Sequence, residues 1–235
     1  PDLSITAVGN TDLEMVAIKS YDARLEWFPK PGDVLSAGVF LKKLTGPIEL
    51  FSRSLSDDQV TWINRPDADL MGAEIEARKT MEFLDPALQG LSLGINLTFI
   101  KSTTKLTAVE LANKQITDPN VSDTRPLYEQ SPYIMNFDLT YEHPTCGTTL
   151  TLGANLTGSR LVLAKSQGPD IYEHPPASLD AAISQKLSKH WSVRFSVKNL
   201  LDEPYRKTYG DSFDGNIYDS FRRGRTYGIS VTGEF

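Results

Sequence analysis

Apolar residues recur at every second position along most of this chain, and the rhythm of a helix is almost absent. In "SYDARLEWF", Tyr21, Ala23, Leu25 and Trp27 alternate with Asp22, Arg24 and Glu26. "VLSAGVFLKK" sets Leu35, Ala37, Val39 and Leu41 on one side, and "LMGAEIEARK" opposes Ala73, Ile75 and Ala77 to Glu74, Glu76 and Arg78. The same alternation runs through "LSLGINLTF", "YIMNFDLTYE", "TLTLGANLTG", "ASLDAAISQKL" and "WSVRFSVKN". It closes in "RTYGISVTGEF", where Tyr227, Ile229, Val231, Gly233 and Phe235 share a side. A side chain in a strand points to the face opposite its neighbours, so each segment predicts a strand with one oily face. Nine such strands are predicted.

The connections alternate as well. "PKPGD", "FLDPALQG", "HPTCG" and "SKH" are short, with Pro and Gly supplying turn geometry. Between them lie long polar stretches at residues 45–67, 101–131, 159–175 and 202–220. These read as loops, with a strand extension around residues 48–51 and a short helix in "TAVELANKQI". An all-β antiparallel fold follows, and two architectures share the pattern. A soluble β-sandwich buries its oily faces against each other. A transmembrane β-barrel turns them to lipid, with strands of about 9–11 residues, short turns at one end and long loops at the other. The strict loop asymmetry favours the barrel, as do aromatics near strand ends (Trp27, Phe28, Tyr133, Tyr141, Trp191) and a final strand that runs to an aromatic. In a barrel, shifting "GAEIEAR" by one residue would aim Glu74, Glu76 and Arg78 at hydrocarbon, and Arg alone costs about 2–4 kcal/mol at the midplane. The polar face is therefore the lumen.

Bacterial single-chain barrels have an even number of strands and both termini on the side of the short turns. An odd count, with the first strand entering from the loop side, predicts at least one earlier strand. The chain also starts at Pro1 rather than Met. We therefore expect all of residues 1–235 to be one segment, the back part of a larger barrel.

Composition narrows function modestly. The net charge of −6 argues against a nucleic-acid surface, and no run of 18 apolar residues predicts a spanning helix. The one cysteine, Cys146, rules out a disulfide within the chain.

The order of these segments resembles a known family. "SYDARLEWFPKPGDVLSAGVFLKK", "MGAEIEARKTMEFLDPALQGLSLGINLTF", "FSVKNLLDEPYRKTYG" and "GRTYGISVTGEF" are similar, in this order, to barrel segments of TonB-dependent outer-membrane receptors. The opening "PDL" resembles the residues that precede those strands. "KNLLDEPY" followed by "GRTYGISV" is the most specific part of the match. The resemblance implies a 22-stranded barrel in the bacterial outer membrane, closed by an N-terminal plug, of which this chain holds about the last nine strands. It implies import of a scarce ligand (a siderophore, cobalamin or carbohydrate) with energy delivered by TonB through the plug, which this segment lacks along with the TonB box. It implies no enzyme activity and no cofactor. The implied partners are outer-membrane lipid and lipopolysaccharide, the TonB complex, the barrel-assembly machinery and a small-molecule ligand. Tyr227, Ile229, Val231 and Phe235 resemble the assembly signal of the family's last strand. Two alternatives stay open, a plugless outer-membrane channel and a soluble β-sandwich binding module.

Residue chemistry adds little to this. Glu74, Glu76, Arg78, Arg194 and Lys198 fall on the lumen side and are candidates for ion pairing with a plug or for ligand contact. "GDSFDGN" holds a GDS triplet, but no His follows Ser212, so a hydrolase triad is not supported. Asp211, Asp214, Asn216 and Asp219 offer oxygen ligands suited to calcium, a pattern that a polar turn also produces. His143, His174 and His190 lack metal-ligand spacing. Asn199 and Asp202 are expected to cap a strand end, and Arg222, Arg223 and Arg225 to sit at the loop margin, within reach of lipopolysaccharide phosphates.

Overall fold

The computed structural model describes residues 6–53 and 59–233. Pro1–Leu3 and Phe235, to which the readings above give roles, lie outside the described residues. The elements in chain order are β1 (Thr6–Val8), β2 (Ala17–Trp27), β3 (Val34–Thr45), β4 (Ile48–Ser52), β5 (Gln59–Asn64), β6 (Asp67–Thr80) and β7 (Leu91–Lys105). Then come α1 (Ala108–Gln115), β8 (Thr124–Arg125), β9 (Tyr133–Glu142), β10 (Thr148–Thr157), β11 (Arg160–Lys165) and β12 (Ile171–His174). The rest are β13 (Ser178–Lys186), β14 (Trp191–Lys198), β15 (Tyr205–Tyr209), β16 (Ile217–Phe221) and β17 (Thr226–Gly233).

All nine predicted strands form one antiparallel wall in the order β17-β14-β13-β10-β9-β7-β6-β3-β2, with β8 added beside β7. The register keeps every oily row on one face. Ala37 stands opposite Ile75, Ile75 opposite Leu97, and Leu97 opposite Met135. Phe137 stands opposite Ala154, Ala154 opposite Leu179, and Val197 opposite Tyr227. Among the described residues no second layer covers this face. Leu25, Val39, Ile75, Phe195 and Ile229 are all exposed. Two sheets packed through a dry centre would bury these side chains, so the sandwich alternative is excluded. Trp27, Phe28 and Trp191 are exposed at the turn end, and Tyr227 at the loop end, flanking the aliphatic band.

The opposite face of the wall is polar. Arg24 lies 2.6 Å from Glu76 and 3.9 Å from Glu74, and its Nε donates to Glu26 at 2.7 Å. Asn155 donates to Asn136 at 2.7 Å. At the turn end, Asp33 binds the Lys79 ammonium at 2.9 Å and the Thr80 amide at 3.2 Å. These contacts hold the Asp33 carboxyl below its usual range.

The loops are more ordered than the alternation predicts. Residues 45–67, read as a loop with one extension, contain the β4–β5 hairpin. Residues 159–175 contain β11 and β12, and residues 202–220 contain β15 and β16. The strand extension around residues 48–51 appears as read, as β4, and so does the helix of "TAVELANKQI", as α1. The short strands assemble into a second sheet, β1-β5-β4-β11-β12-β15-β16. Its apolar clusters lie on both faces: Phe51, Leu161 and Ala164 on one, Val60, Leu163 and Ile171 on the other.

Most of this outer sheet prolongs the wall. Asn155 pairs with Ser178 and Arg160 with Glu173 at the same stagger, so alternation carries through from β10 and β13 into β11 and β12. Leu161, His174 and its partner Arg206 therefore continue the polar inner side. The β4–β5 hairpin departs from this. In the wall, β6 lies on the β10 side of β3; in the outer sheet, β4 rather than β5 meets β11, in parallel. The hairpin has turned over. Phe51 and Glu49 continue the outward row of β3, yet Phe51 pairs with Ala164 and packs with Leu161 on the inner side.

Candidate functional site

Where the wall meets the outer sheet, a cleft of about 670 Å³ opens on the inner side. Ser159, His174, Glu203, Arg206, Asp211 and Phe213 line it. They come from separate stretches of the chain: the β10–β11 connection, the end of β12, the β14–β15 connection, β15 itself and the β15–β16 loop. The Arg206 guanidinium stacks on the Phe213 ring at 4.3 Å from its centroid, and its Nη1 donates to the Phe213 carbonyl at 3.0 Å. This pair folds the β15–β16 loop back over β15. The Arg206 Nε is buried without a hydrogen-bond partner. His174 meets the same ring edge-on at 5.6 Å, and its Nε2 lies 2.7 Å from the Thr208 hydroxyl. Burial pushes the His174 pKa down and the Arg206 charge adds to this, against the pull of Asp211, so the imidazole is neutral at pH 7. Ser159 donates to the Asp211 carboxylate.

The cleft thus offers a stacked guanidinium, an aromatic face, a neutral imidazole and two carboxylates. These groups have the chemistry to engage a planar or anionic small molecule through charge-assisted hydrogen bonds and stacking. Sequence reasoning missed it because its residues are scattered across five separate stretches of the chain. The recoverable signals were Arg206 inside "NLLDEPYRKTYG" and Phe213 inside the "GDSFDGN" turn.

The lumen candidates separate into two groups. Glu74 and Glu76 share Arg24, with Arg78 two residues farther along the same strand and opposite Gly94. Arg194 donates to the Ser184 hydroxyl at 3.2 Å, and Lys198 stands opposite Thr226. β6 and β14 are five strands apart, about 24 Å at the usual spacing, so the two groups do not meet along the wall. Tyr227, Ile229 and Val231 lie exposed in one row on β17.

The remaining candidates resolve locally. Among the described residues, no three His, Cys, Asp or Glu side chains gather as a metal site. Asp211 is engaged by Ser159, and Asp219 stands opposite Lys207. Asn199 and Asp202 do terminate a strand. Both have positive φ, Asn199 donates to the Gly224 carbonyl at 2.8 Å, and Asp202 accepts from the Gly224 amide at 3.1 Å. Arg222 and Arg225 donate to backbone carbonyls of Asp202 and Leu200, while Arg223 lies over Tyr205. His143 accepts from the amides of Thr145 and Cys146 within its turn.

The wall and its outer sheet have counterparts among solved structures. The chain is 18% identical to the ferric enterobactin receptor PfeA from Pseudomonas aeruginosa, solved in complex with enterobactin, with a TM-score of 0.59 over 97% of this chain and 33% of that one. For the ferric yersiniabactin uptake receptor FyuA from Yersinia pestis the identity is 18% and the TM-score 0.59, over 93% and 30%. For the copper transporter OprC they are 16% and 0.64, over 96% and 32%. At these identities the likeness is one of fold, and the chain spans about a third of each of these proteins. No curated protein sequence matches the chain. The family model described as TonB dependent receptor-like, beta-barrel, matches residues 1–200. With that match across most of its length, and a one-layer wall whose oily face is uncovered, the chain belongs to the TonB-dependent receptor β-barrel family, a family of outer-membrane receptors and transporters rather than enzymes, and forms part of such a barrel.

Proposed function

We propose that the chain is the C-terminal part of the barrel of an outer-membrane active transporter, which captures a scarce metal or metal–siderophore complex at its outer mouth and imports it with TonB-derived energy. The observation that carries this reading is the Arg206–Phe213–His174 cleft, set on the inner side at the loop end of a wall that is oily outside and polar inside. The receptors and transporter of like fold, named for ferric enterobactin, ferric yersiniabactin and copper, support this ligand class. In this reading the barrel has 22 strands, the oily face sits in outer-membrane lipid and the loop margin meets lipopolysaccharide. Glu74, Glu76, Arg78, Arg194 and Lys198 face the plug or the passing ligand. Tyr227, Ile229, Val231 and Phe235 serve the barrel-assembly machinery.

The test uses the full-length protein. Cells expressing it are assayed for uptake of radiolabelled iron–siderophore complexes and of copper, with and without a proton uncoupler. Uptake should require the proton gradient. Arg206→Ala and Phe213→Ala should weaken binding at least tenfold while barrel assembly stays intact. Uptake that survives the uncoupler would replace this reading with that of a plugless channel.

A further inference from the structure

The loop helix α1 is inside out. Val109 and Ile116 are 71% and 75% exposed, while its two buried side chains are Glu110 and Lys114, at 2% and 4%. An eight-residue helix is marginal on its own, and among the described residues no apolar side chain of α1 is fully buried, Leu111 being half-buried. Its deep contacts are ionic. Glu110 is gripped by the guanidinium of Arg65, whose Nη2 donates at 3.0 Å. Arg65 also donates to Glu49, and Glu49 accepts from Arg125 of β8. Lys114, one turn on, binds Asp170 at 2.7 Å and the Gly168 carbonyl at 3.0 Å, at the tip between β11 and β12. Arg65 and Glu49 are each 1% exposed and Arg125 is 8%. Two carboxylates and two guanidiniums balance in charge, and Lys114 with Asp170 balances separately.

The overturned hairpin is what makes this arrangement possible. Glu49 lies on the row that points outward in β3, and only the reversal of β4 and β5 brings its carboxylate to the inner side. We propose that Glu49, Arg65, Glu110 and Arg125, with Lys114–Asp170 as a second tie, form an ionic latch that joins the β4–β5 hairpin, the α1 loop and the β11–β12 tip into one lid. This sector of the outer surface then opens or stays shut as a unit, not loop by loop. The latch suits that task because a buried charge that loses its partner is strongly penalised, so the members release together or not at all.

Hydrogen exchange on the full-length receptor in detergent micelles tests this without reference to transport. Glu49→Gln should speed exchange about 100-fold or more in α1, β8 and β4 together. Wall strands β9 and β10 should keep their protection. Lys114→Met, which leaves the Glu49 cluster intact, serves as a second reading in case Glu49→Gln fails to assemble; it should loosen α1 and residues 168–170 in step. Acceleration confined to β4 in the first variant, or to α1 in the second, overturns the latch, as does unchanged exchange in either.

Discussion

Replacing Ile75 by Arg tests the assignment of the two faces of the wall. Ile75 sits mid-strand in β6 between Ala37 of β3 and Leu97 of β7, and its side chain is uncovered by any protein layer. If the oily face meets hydrocarbon, the guanidinium must enter the bilayer near its midplane. That costs about 2–4 kcal/mol, roughly a 30- to 900-fold loss in the folding equilibrium. The control is Thr98→Arg, at a neighbouring level on the opposite face, directly across from Glu74. There the new cation meets a carboxylate in a polar interior, and the change in stability should stay within about 1 kcal/mol. Urea titration of the full-length receptor refolded into lipid vesicles measures both. If Ile75→Arg and Thr98→Arg unfold at the same midpoint, the claim that alternation separates lipid from lumen is wrong. A larger loss for Thr98→Arg would reverse the two faces.

Gly72→Ala should destabilise the wall by about 1–3 kcal/mol in the same titration, because an added Cβ would lie 2.3 Å from the Phe40 ring and 2.5 Å from the Phe99 carbonyl. His174 makes the outer sheet sensitive to acid. Its folded-state pKa is pushed down by burial, so the unfolded chain takes up the proton first as pH falls. The stability it protects is complete above about pH 6.5 and declines as pH drops from there towards the folded-state value. Amide exchange in β12 and β15 should therefore quicken, relative to wall strands β9 and β10, between pH 7.5 and 5.5, and His174→Asn should flatten that dependence.

The wall was legible because its physics is local. A strand with one face in lipid must alternate, so Tyr21 to Trp27, Leu91 to Phe99 and Tyr227 to Val231 declared their faces without knowledge of their partners. The short turns declared which strands are neighbours. The strand ends were also local, since Asn199 and Asp202 terminate β14 through positive φ and side-chain bonds to Gly224. The cleft was not legible, because His174, Arg206 and Phe213 meet through register between strands, and no sequence spacing encodes that meeting.

The outer sheet fails to announce itself for a different reason. Its central strands β4, β11 and β12 bury both faces, with Phe51 and Leu161 on one side and Val60 and Leu163 on the other, so the period-two contrast vanishes and the segments read as mixed loops. The reversal of β4 and β5 is harder still to foresee. The residues of "IELFS" fit either orientation of the hairpin equally well, since both faces of β4 carry apolar side chains. What selects the overturned form is remote. It seats Phe51 against Leu161 and Ala164, and it delivers Glu49 to Arg65 and Arg125. In the other orientation Glu49 and Arg65, which share one row of the hairpin, would both face outward, leaving Arg125 and Glu110 without them. The hairpin's orientation is therefore set by the ion pairs it makes with Glu110 and Arg125 as well as by apolar packing, and both are properties of contacts between loops.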